Sequence, residues 1–384
     1  METPFVFGKI ASEKNFTDRV AETERLISNF SSQINTILIS PRRWGKSSLV
    51  NKAAQMAIKK DKNLRFCFID LYNVRTEEQF YQLLAQEVLR ASSSKLEELM
   101  DNAKKFMGQF IPRITLNPDP NSEISLGLDW NEVKKQPDEI LNLAENISKE
   151  KKLNFIICID EFQNIAGFGD SLNLQKKLRS HWQKHTLTSY CIYGSKRHML
   201  LEVFTSPDMP FYKFGDVIFL QKIAEDDMLS FIIERFSNTG KQISPENAGM
   251  IIQIAECHPY YVQQLAQQSW LRSHKTCTAD IVNNVHESLV LQLDYLFQKM
   301  TGELSTTQVN FLKALLMEAG QFSSKKTLQK FQLGTSANIL RIKKALENKE
   351  IIDTSGNQIA FLDPIYKYWL KKIYFKLLES LKSG

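Results

Sequence analysis

An eight-residue segment between an apolar run and a helical segment restricts the possible folds of this chain more than any other feature. The run Ile37-Leu38-Ile39 predicts a buried strand, and Ser48 to Lys60 predicts a helix. Between them lies Ser40-Pro41-Arg42-Arg43-Trp44-Gly45-Lys46-Ser47. Strand, loop, Gly-Lys-Ser and helix in this order form the arrangement with which α/β proteins bind the phosphates of a nucleoside triphosphate.

Each part of this segment has a physical role in binding phosphate. Backbone N–H groups of the loop and the start of the helix attract phosphate oxygens. Lys46 would reach the β- and γ-phosphates, and the Ser47 hydroxyl would ligate Mg²⁺. We therefore predict a nucleotide site built from a contiguous stretch of the chain: Ser40, Pro41, Arg42, Arg43, Trp44, Gly45, Lys46, Ser47 and Ser48.

Two observations weigh against reading this motif too literally. Gly-Lys-Ser alone also arises by chance in basic turns, although the flanking strand and helix favour a binding loop. Ser40 stands where the usual pattern has glycine, a residue favoured where the backbone needs a positive φ. Serine there would either strain the loop or select a slightly different one.

A second apolar run ends in two carboxylates. Residues 155–159 read Phe-Ile-Ile-Cys-Ile and are followed by Asp160 and Glu161. A continuous apolar run is typical of a strand buried on both faces of a parallel sheet, and ligands of such sheets bind at the carboxyl ends of the strands. Asp160 is thus a candidate Mg²⁺ ligand, and Glu161 is a candidate general base for an attacking water. Alone, the pair would equally suit a solvated acidic turn.

Composition sets the outer limits. A chain of 384 residues suits two or three domains, and its 43% hydrophobic and 24% charged residues are typical of a soluble globular protein. No apolar stretch is long enough to span a bilayer, and the first ten residues lack a secretory signal pattern, so we expect no membrane partner and a cytoplasmic location. The five cysteines have no metal-type spacing. The net charge of +6 is only weak support for a polyanionic partner.

The order of the elements predicts three domains. Strands alternate with helices up to residue 222, which predicts an α/β domain with a parallel sheet and an inserted β-hairpin near residues 110–130. Residues 223–300 read as helices only. Residues 301–384 read as helix, helix, turn, helix and hairpin, which is the order of a winged helix-turn-helix.

Together these motifs resemble the archaeal-type branch of the STAND and AAA-related P-loop ATPases, which combine a P-loop core, a helical lid and a winged helix. The resemblance runs nearly from end to end of the chain. It rests on the loop Pro41 to Leu49 and on six shorter segments: Phe16-Thr17-Asp18-Arg19 with Glu22 and Leu26, Ile159-Asp160-Glu161-Phe162-Gln163, Tyr193-Gly194-Ser195, His258-Pro259-Tyr260-Tyr261-Val262-Gln263, Asp363-Pro364-Ile365-Tyr366, and Trp369.

The resemblance implies ATP as the nucleotide, Mg²⁺ as its partner and ATP hydrolysis as the reaction. It implies catalytic roles for Lys46, Asp160, Glu161 and Ser195, with Ser195 either sensing the γ-phosphate or only capping its strand. It also implies nucleotide contacts by Arg19 of the entry motif and by His258 and Pro259 of the lid motif, where Cys257 replaces the usual glycine. In related proteins the nucleotide cycle is a conformational switch, so we expect slow hydrolysis in the service of regulation.

The partners other than ATP stay open at this stage. Asn338, Arg341, Lys343, Lys344 and Lys349 mark the third helix of the winged helix and its end, which suits DNA phosphates and base edges. Glu347 and Glu350 dilute that charge, and winged helices also bind proteins. An unknown protein partner is therefore the alternative to DNA. The alternatives to a regulatory ATPase are a DNA-binding winged-helix protein with a mainly structural nucleotide and a protein-interaction scaffold. An oligomer is compatible with Arg197 acting as an arginine finger, although Arg197 also suits a plain surface position.

Overall fold

The computed structural model describes residues 3–9, 16, 19–108, 113–115, 125–354 and 358–377. The chain divides into two compact units. The first unit is Arg19–Gln221, and the second combines Met1–Asp18 with Lys222–Gly384. Among the described residues, none of the helices has the length and apolar character needed to cross a membrane.

A five-stranded parallel sheet forms the centre of the first unit, as the sequence predicted. The strand order is β2-β5-β6-β1-β7, and every described neighbouring pair is parallel. β1, β5 and β6 are the inner strands and are apolar and buried along nearly their whole length, because helices cover both faces of the sheet. The strands are β1 (Thr36–Ile39), β2 (Leu64–Asp70), β5 (Asn154–Asp160), β6 (Thr188–Gly194) and β7 (Asp216–Phe219).

Helices connect these strands. They are α1 (Val20–Ser31), α2 (Lys46–Lys60), α3 (Glu77–Ala91), α4 (Leu96–Met107), α5 (Trp130–Lys135), α6 (Pro137–Leu141), α7 (Leu143–Lys151), α8 (Ser171–Trp182) and α9 (Arg197–Thr205), with a 3-10 helix at Phe162–Gly167. At the position of the predicted insertion, two short strands pair antiparallel, β3 (Arg113–Thr115) and β4 (Ser125–Gly127). The segment between them, residues 116–124, lies outside the described residues.

The strand order explains why three distant segments meet. In a parallel sheet the carboxyl ends of all strands lie on one edge, where connecting loops build ligand sites. β6 lies between β1 and β5. Gly194 at the end of β6 therefore lies between the loop after β1 and the acidic pair at the end of β5.

The second unit is largely helical. Its helices are α10 (Glu225–Ser237), α11 (Pro245–Ile254), α12 (Pro259–Arg272), α13 (Ala279–Gly302), α14 (Thr306–Leu316), α15 (Lys325–Lys330), α16 (Ser336–Asn348) and α17 (Pro364–Trp369), the last continuing as a π-helix at Leu370–Tyr374. Two short strand pairs complete the unit, parallel β8 (Gln242–Ile243) with β9 (Thr276–Cys277) and antiparallel β10 (Ile352–Asp353) with β11 (Ala360–Phe361).

The N-terminal segment packs into this helical unit. Phe5 is fully buried, with its ring 6.0 Å from that of Phe231 and 5.7 Å from that of Phe236. Gln263 accepts a hydrogen bond from the Val6 N–H, and Gln267 donates to the Phe5 carbonyl at 2.8 Å. Burial of a phenylalanine side chain contributes roughly 1.5–3 kcal/mol, so this segment is anchored although it is separated in sequence from the rest of the unit.

The C-terminal helix fastens the winged helix to the helices before it. Tyr366 hydrogen-bonds to Thr301 at 2.8 Å, Tyr368 donates to Glu287 at 2.9 Å, and Trp369 donates to Asp294 at 2.6 Å. Thr301, Glu287 and Asp294 all lie on α13. The bond between Tyr366 and Thr301 is buried, and the other two are partly buried, in a place where polar groups are costly to leave unpaired.

Candidate functional site

The loop between β1 and α2 adopts a conformation that tolerates serine at position 40. Its left-handed residues are Arg43, with φ 63°, and Gly45, with φ 85°. Ser40 is not among the described residues with positive φ, so glycine is not needed there. The Ser40 side chain is fully buried, and its hydroxyl donates to the Pro41 carbonyl at 2.9 Å. The departure from the usual pattern therefore carries no backbone strain.

The first helical residues after the loop reach the acidic end of β5. Lys46 Nζ lies 3.0 Å from Glu161 Oε1 and 3.6 Å from Asp160 Oδ1. The Ser47 hydroxyl donates to Asp160 Oδ2 at 2.8 Å. Lys46 is only 8% exposed, and a nearly buried ammonium needs such partners. The structure thus brings together the four residues that the sequence assigned to phosphate, metal and base.

The two carboxylates of this pair differ in their electrostatics. Burial raises the pKa of Asp160 above its ordinary value, and the opposing effects of Lys46 and Ser47 do not cancel that rise. Burial also disfavours the charged form of Glu161, but Lys46, Gln163 and Ser195 together hold its pKa below the ordinary value. Glu161 is therefore the carboxylate that this environment favours in its charged, proton-accepting form.

One oxygen of Glu161 is held by groups on the neighbouring strand end and helix. The Ser195 hydroxyl donates to Glu161 Oε2 at 3.0 Å, and the Ser195 N–H lies 3.4 Å from the same oxygen. Gln163 Nε2 also donates to Oε2. Glu161 itself has a left-handed φ of 53°, an unusual conformation for a residue with a side chain and one that is found at functional sites. Ser195 thus contacts the candidate base rather than only capping β6.

Sequence reasoning gave no role to two residues at this edge. Gln163 stood in the motif after Asp160 and Glu161, but only the structure shows its contact with Glu161. Asp70 ends β2 and is the register partner of Asp160 on β5. The sequence could have predicted Asp70 at this edge, because it ends an apolar strand and the carboxyl ends of all parallel strands share one edge.

The residues at the centre of the site fit a hydrated Mg²⁺ ion bound with a nucleotide. Mg²⁺ prefers oxygen ligands and is usually held by one or two protein oxygens together with phosphates and water. Ser47 Oγ and Asp160 Oδ2 are both oxygen donors and lie 2.8 Å apart. These two residues are the ones that would hold the ion.

The other residues predicted to contact the nucleotide lie in the same loop and helix start, except Arg19 and the pair His258 and Pro259. Pro41 is buried, Trp44 is half-buried, and Arg42 and Arg43 are exposed. Ser48 is buried at the start of α2. Arg19, at the N-terminus of α1, is 3% exposed and donates to the Gln221 carbonyl at 2.6 Å while pairing with Glu22 at 3.0 Å. Thr17 and Asp18 of the entry motif lie outside the described residues.

Arg197 packs against an aromatic ring at the end of the sheet. It begins α9, is half-buried, and its guanidinium lies 5.8 Å from the ring centroid of Phe219 on β7. Such a cation–π contact contributes about 0.5–2 kcal/mol, depending on exposure.

His258 and Pro259 begin α12 in the second unit. His258 is 6% exposed and Pro259 is the first helical residue, where its missing N–H costs nothing. The two residues before them, Glu256 and Cys257, are both left-handed, with φ of 47° and 57°. Cys257 therefore has the backbone conformation that a glycine in this motif would adopt.

This conformation predicts that Cys257→Gly stabilises the second unit. A left-handed residue with a side chain costs roughly 1–2 kcal/mol relative to glycine, and the greater freedom of glycine in the unfolded chain offsets part of that gain. We expect a net increase of about 0.5–1 kcal/mol in the free energy of unfolding, measured by denaturant titration. Cys277→Gly is the matched control, since Cys277 is buried in β9 and is not among the residues with positive φ; we expect it to destabilise. Destabilisation by Cys257→Gly would contradict the assigned backbone strain.

The comparisons with known proteins agree with this architecture. A family model described as a probable winged helix domain matches residues 295–372. No curated protein matches the sequence. Among solved structures, a Walker-type ATPase of Pyrococcus abyssi is similar over 96% of this chain and 99% of its own, with 16% identity and a TM-score of 0.67.

Two proteins of Aeropyrum pernix have the same overall architecture. The ORC2 protein, solved with ADPNP and ADP, covers 99% of this chain and 100% of its own, at 12% identity and a TM-score of 0.59. The ORC1 protein, solved in complex with DNA, covers the same shares at 11% identity and a TM-score of 0.51. The chain thus has the fold of archaeal Walker-type ATPases of the ORC type with a C-terminal winged helix. The predicted fold class is confirmed, as is the resemblance to archaeal-type P-loop ATPases with a C-terminal winged helix.

Proposed function

We propose that this protein is a P-loop ATPase that binds ATP with Mg²⁺, hydrolyses it slowly and acts as a conformational regulatory switch. The observation that carries the proposal is the contact of Lys46 and Ser47 with Glu161 and Asp160, at 3.0 Å and 2.8 Å. It joins the end of β5 to the loop after β1, and it places a cation, a hydroxyl, a metal-binding carboxylate and a charged carboxylate in one small volume. The fold of Walker-type ATPases supports the proposal.

In the proposed mechanism, the loop holds the phosphates and the four polar residues act on the γ-phosphate. Backbone N–H groups at the start of α2 bind phosphate oxygens, and Lys46 neutralises charge on the β- and γ-phosphates. Bound Mg²⁺, held through Ser47 and Asp160, would supply further neutralisation of the leaving diphosphate. Glu161 accepts the proton of the water that attacks the γ-phosphorus, and the bond from that phosphorus to the bridging oxygen breaks to release ADP.

The regulatory part of the proposal rests on contacts around the His258 turn. Glu256 Oε1 pairs with Lys367 Nζ at 2.5 Å, and Tyr261 donates to Asp363 Oδ2 at 2.5 Å. Lys367 and Asp363 belong to the segment matched as a winged helix. A nucleotide-dependent change at His258 and Pro259 would therefore be passed to the winged helix within one compact unit. Such a change requires that the nucleotide binds the two conformations with different affinity.

ATP turnover by the purified protein tests the proposal. We expect release of phosphate that requires Mg²⁺ and saturates with ATP, and we expect ATP and ADP to give different protease sensitivity in the second unit. Absence of both nucleotide binding and turnover would contradict the ATPase assignment. Turnover with identical protease sensitivity in ATP and ADP would contradict only the switch.

A second function, binding of duplex DNA by the winged helix, is favoured by the distribution of charge. From Ser324, which caps α15, to Lys349, which caps α16, the chain has seven basic residues and one acidic residue. This net charge of 7 − 1 = +6 equals that of the whole chain, so the other residues sum to zero. The one acidic residue, Glu347, accepts hydrogen bonds from Thr354, and the contacts described include no ion pair between it and these cations. Glu350 follows directly after the segment. A basic patch on a helix-turn-helix is the electrostatic footprint of a DNA-binding surface.

The structure narrows which residues of α16 are available to DNA. Asn338 donates to the Leu333 carbonyl at 2.9 Å, and Lys343 lies 5.7 Å from the ring centroid of Phe322. These two side chains stabilise the fold of the domain. Arg341 and Lys344 are exposed on the helix, next to Leu340, which is 72% exposed. We therefore infer that Arg341 and Lys344 face DNA, together with the exposed lysines of α15.

We expect replacement of Arg341 and Lys344 by alanine to weaken binding to a generic duplex and to flatten its dependence on salt. Each lost phosphate contact lowers the slope of log K against log salt by about 0.9. A fluorescence-anisotropy titration over a range of salt concentrations measures both effects. The control is replacement of Lys59 and Lys60, two exposed lysines in the last turn of α2, which removes the same charge elsewhere. Equal slopes for the two variants would contradict a specific winged-helix surface, and no binding by the parent at low salt would favour a protein partner.

A further inference from the structure

Gln163 is buried at the candidate site with only one end of its side-chain amide hydrogen-bonded. It lies in the 3-10 helix that follows the acidic pair and is 2% exposed. Its Nε2 donates to Glu161 Oε2, while its Oε1 has no hydrogen-bond partner among the described residues. A buried acceptor without a partner costs about 1–3 kcal/mol. An apolar side chain of the same length would avoid that cost.

The fold makes room for this side chain at one glycine. A Cβ on Gly194 would lie 2.0 Å from Gln163 Oε1 and 3.1 Å from its Cδ, which no side chain can tolerate without displacing Gln163. Gly194 is the last residue of β6, and its φ is not in the left-handed region, so backbone conformation does not require glycine there. The side-chain amide of Gln163, which donates to Glu161, therefore occupies the space that a Cβ at position 194 would need.

The hydrogen bonds divide the two oxygens of Glu161 between two tasks. Oε2 accepts from Gln163, from the Ser195 hydroxyl and from the Ser195 N–H. Oε1 contacts Lys46 Nζ at 3.0 Å. In the proposed mechanism Lys46 binds phosphate. A bound nucleotide would therefore break the contact between Lys46 and Glu161 Oε1. The contacts of Oε2 with Gln163 and Ser195 do not involve Lys46, so they would remain when the nucleotide binds.

We propose that Gln163 is a positioning residue, which with Ser195 anchors Glu161 Oε2 so that Oε1 is the atom that accepts the proton of the attacking water. This inference rests on the proposed ATPase function. It adds Gln163 as a positioning residue and Glu161 Oε1 as the atom that accepts the proton. Gln163 touches neither nucleotide nor water in this proposal and acts only through Glu161. Its removal should therefore lower kcat and leave the affinity for ATP unchanged, since Glu161 moves a proton and does not bind the nucleotide.

The test compares Gln163→Met with Gln175→Met. Gln175 lies in α8 of the same unit, is 3% exposed, and also has an Oε1 without a hydrogen-bond partner among the described residues. Methionine has a similar length and neither donates nor leaves an unpaired oxygen. We expect both variants to have unfolding midpoints equal to or above that of the parent. Only Gln163→Met should lose kcat, by roughly 10-fold or more, because hydrogen bonds to charged groups are about twice as strong as neutral ones. Its affinity for ATP should stay within about 2-fold of the parent.

A double variant separates positioning from a general structural effect. If Gln163 acts through Glu161, adding Gln163→Met to Glu161→Gln should cause no further loss of kcat, since coupled residues are not additive. Additive losses would overturn the inference, as would a parent-like kcat for Gln163→Met or a large fall in its unfolding midpoint. If the parent protein neither binds nor hydrolyses ATP, the proposed function fails and this inference fails with it. Turnover by the parent together with full activity of Gln163→Met removes this inference alone.

Discussion

Replacement of Lys46 by alanine should reduce the affinity for ATP by roughly 100-fold or more. Lys46 is the buried cation at the start of α2, and its Nζ lies among oxygens at the edge of the sheet where the phosphates would bind. A hydrogen bond to a charged group contributes about 1.5–3 kcal/mol, and Lys46 would make such bonds to two phosphates. Titration with a fluorescent ATP analogue measures the loss.

Two controls make this result interpretable. Lys60→Ala removes an exposed lysine from the opposite end of the same helix and should bind ATP like the parent. Because Lys46→Ala leaves Asp160 and Glu161 without their cation, its unfolding midpoint must be compared with that of the parent. Equal ATP affinity for a folded Lys46→Ala protein and the parent would remove the P-loop assignment.

Replacement of Glu161 by glutamine should slow hydrolysis by about 10²–10⁴-fold while ATP still binds. Glutamine keeps the shape of the side chain but cannot accept a proton at neutral pH. The change also removes a negative charge beside Lys46, which favours rather than weakens phosphate binding. Single-turnover measurement of phosphate release, with the nucleotide affinity determined in parallel, separates the two effects.

Asp160→Asn is the matched comparison for this prediction. It changes the neighbouring carboxylate, whose Oδ2 accepts from Ser47, and should raise the Mg²⁺ concentration needed for turnover rather than abolish proton transfer. If Glu161→Gln hydrolyses ATP at the parent rate, another group is the base and the role of Glu161 is wrong. If Asp160→Asn has an unchanged dependence on Mg²⁺, Asp160 is not the metal ligand.

The sequence predicted the central sheet and the meeting of its loops because both follow from strong local patterns. The apolar runs at β1 and β5 predicted buried parallel strands, and the rule that ligands bind at their carboxyl ends placed Lys46, Ser47 and Asp160 together. The same rule also places Asp70 at this edge of the sheet. Asp70 is an exposed carboxylate at the end of an outer strand, so the sequence gave no reason to predict it as a site residue.

Other features depend on tertiary contacts that have no local signal. Ser40 would strain the loop only if its φ were positive, and the identity of a residue does not determine its φ. In the structure Ser40 is not among the described residues with positive φ. Asn338 and Lys343 looked equivalent to Arg341 and Lys344 on α16, until their contacts with Leu333 and Phe322 set them apart. The anchoring of Glu161 Oε2 needed the ends of β5 and β6 in three dimensions, since Gln163 and Gly194 are 31 residues apart in the sequence.

A crystal structure with Mg²⁺ and a non-hydrolysable ATP analogue tests the central claim most directly. We expect the γ-phosphate within hydrogen-bond distance of Lys46 Nζ and the metal ion ligated through Ser47 and Asp160. We also expect Glu161 Oε1 to be released from Lys46 and to face the γ-phosphorus. Ser195 and Gln163 should still donate to Glu161 Oε2. A nucleotide bound at another place, or phosphates held at the loop without Lys46 and Ser47, would contradict this claim.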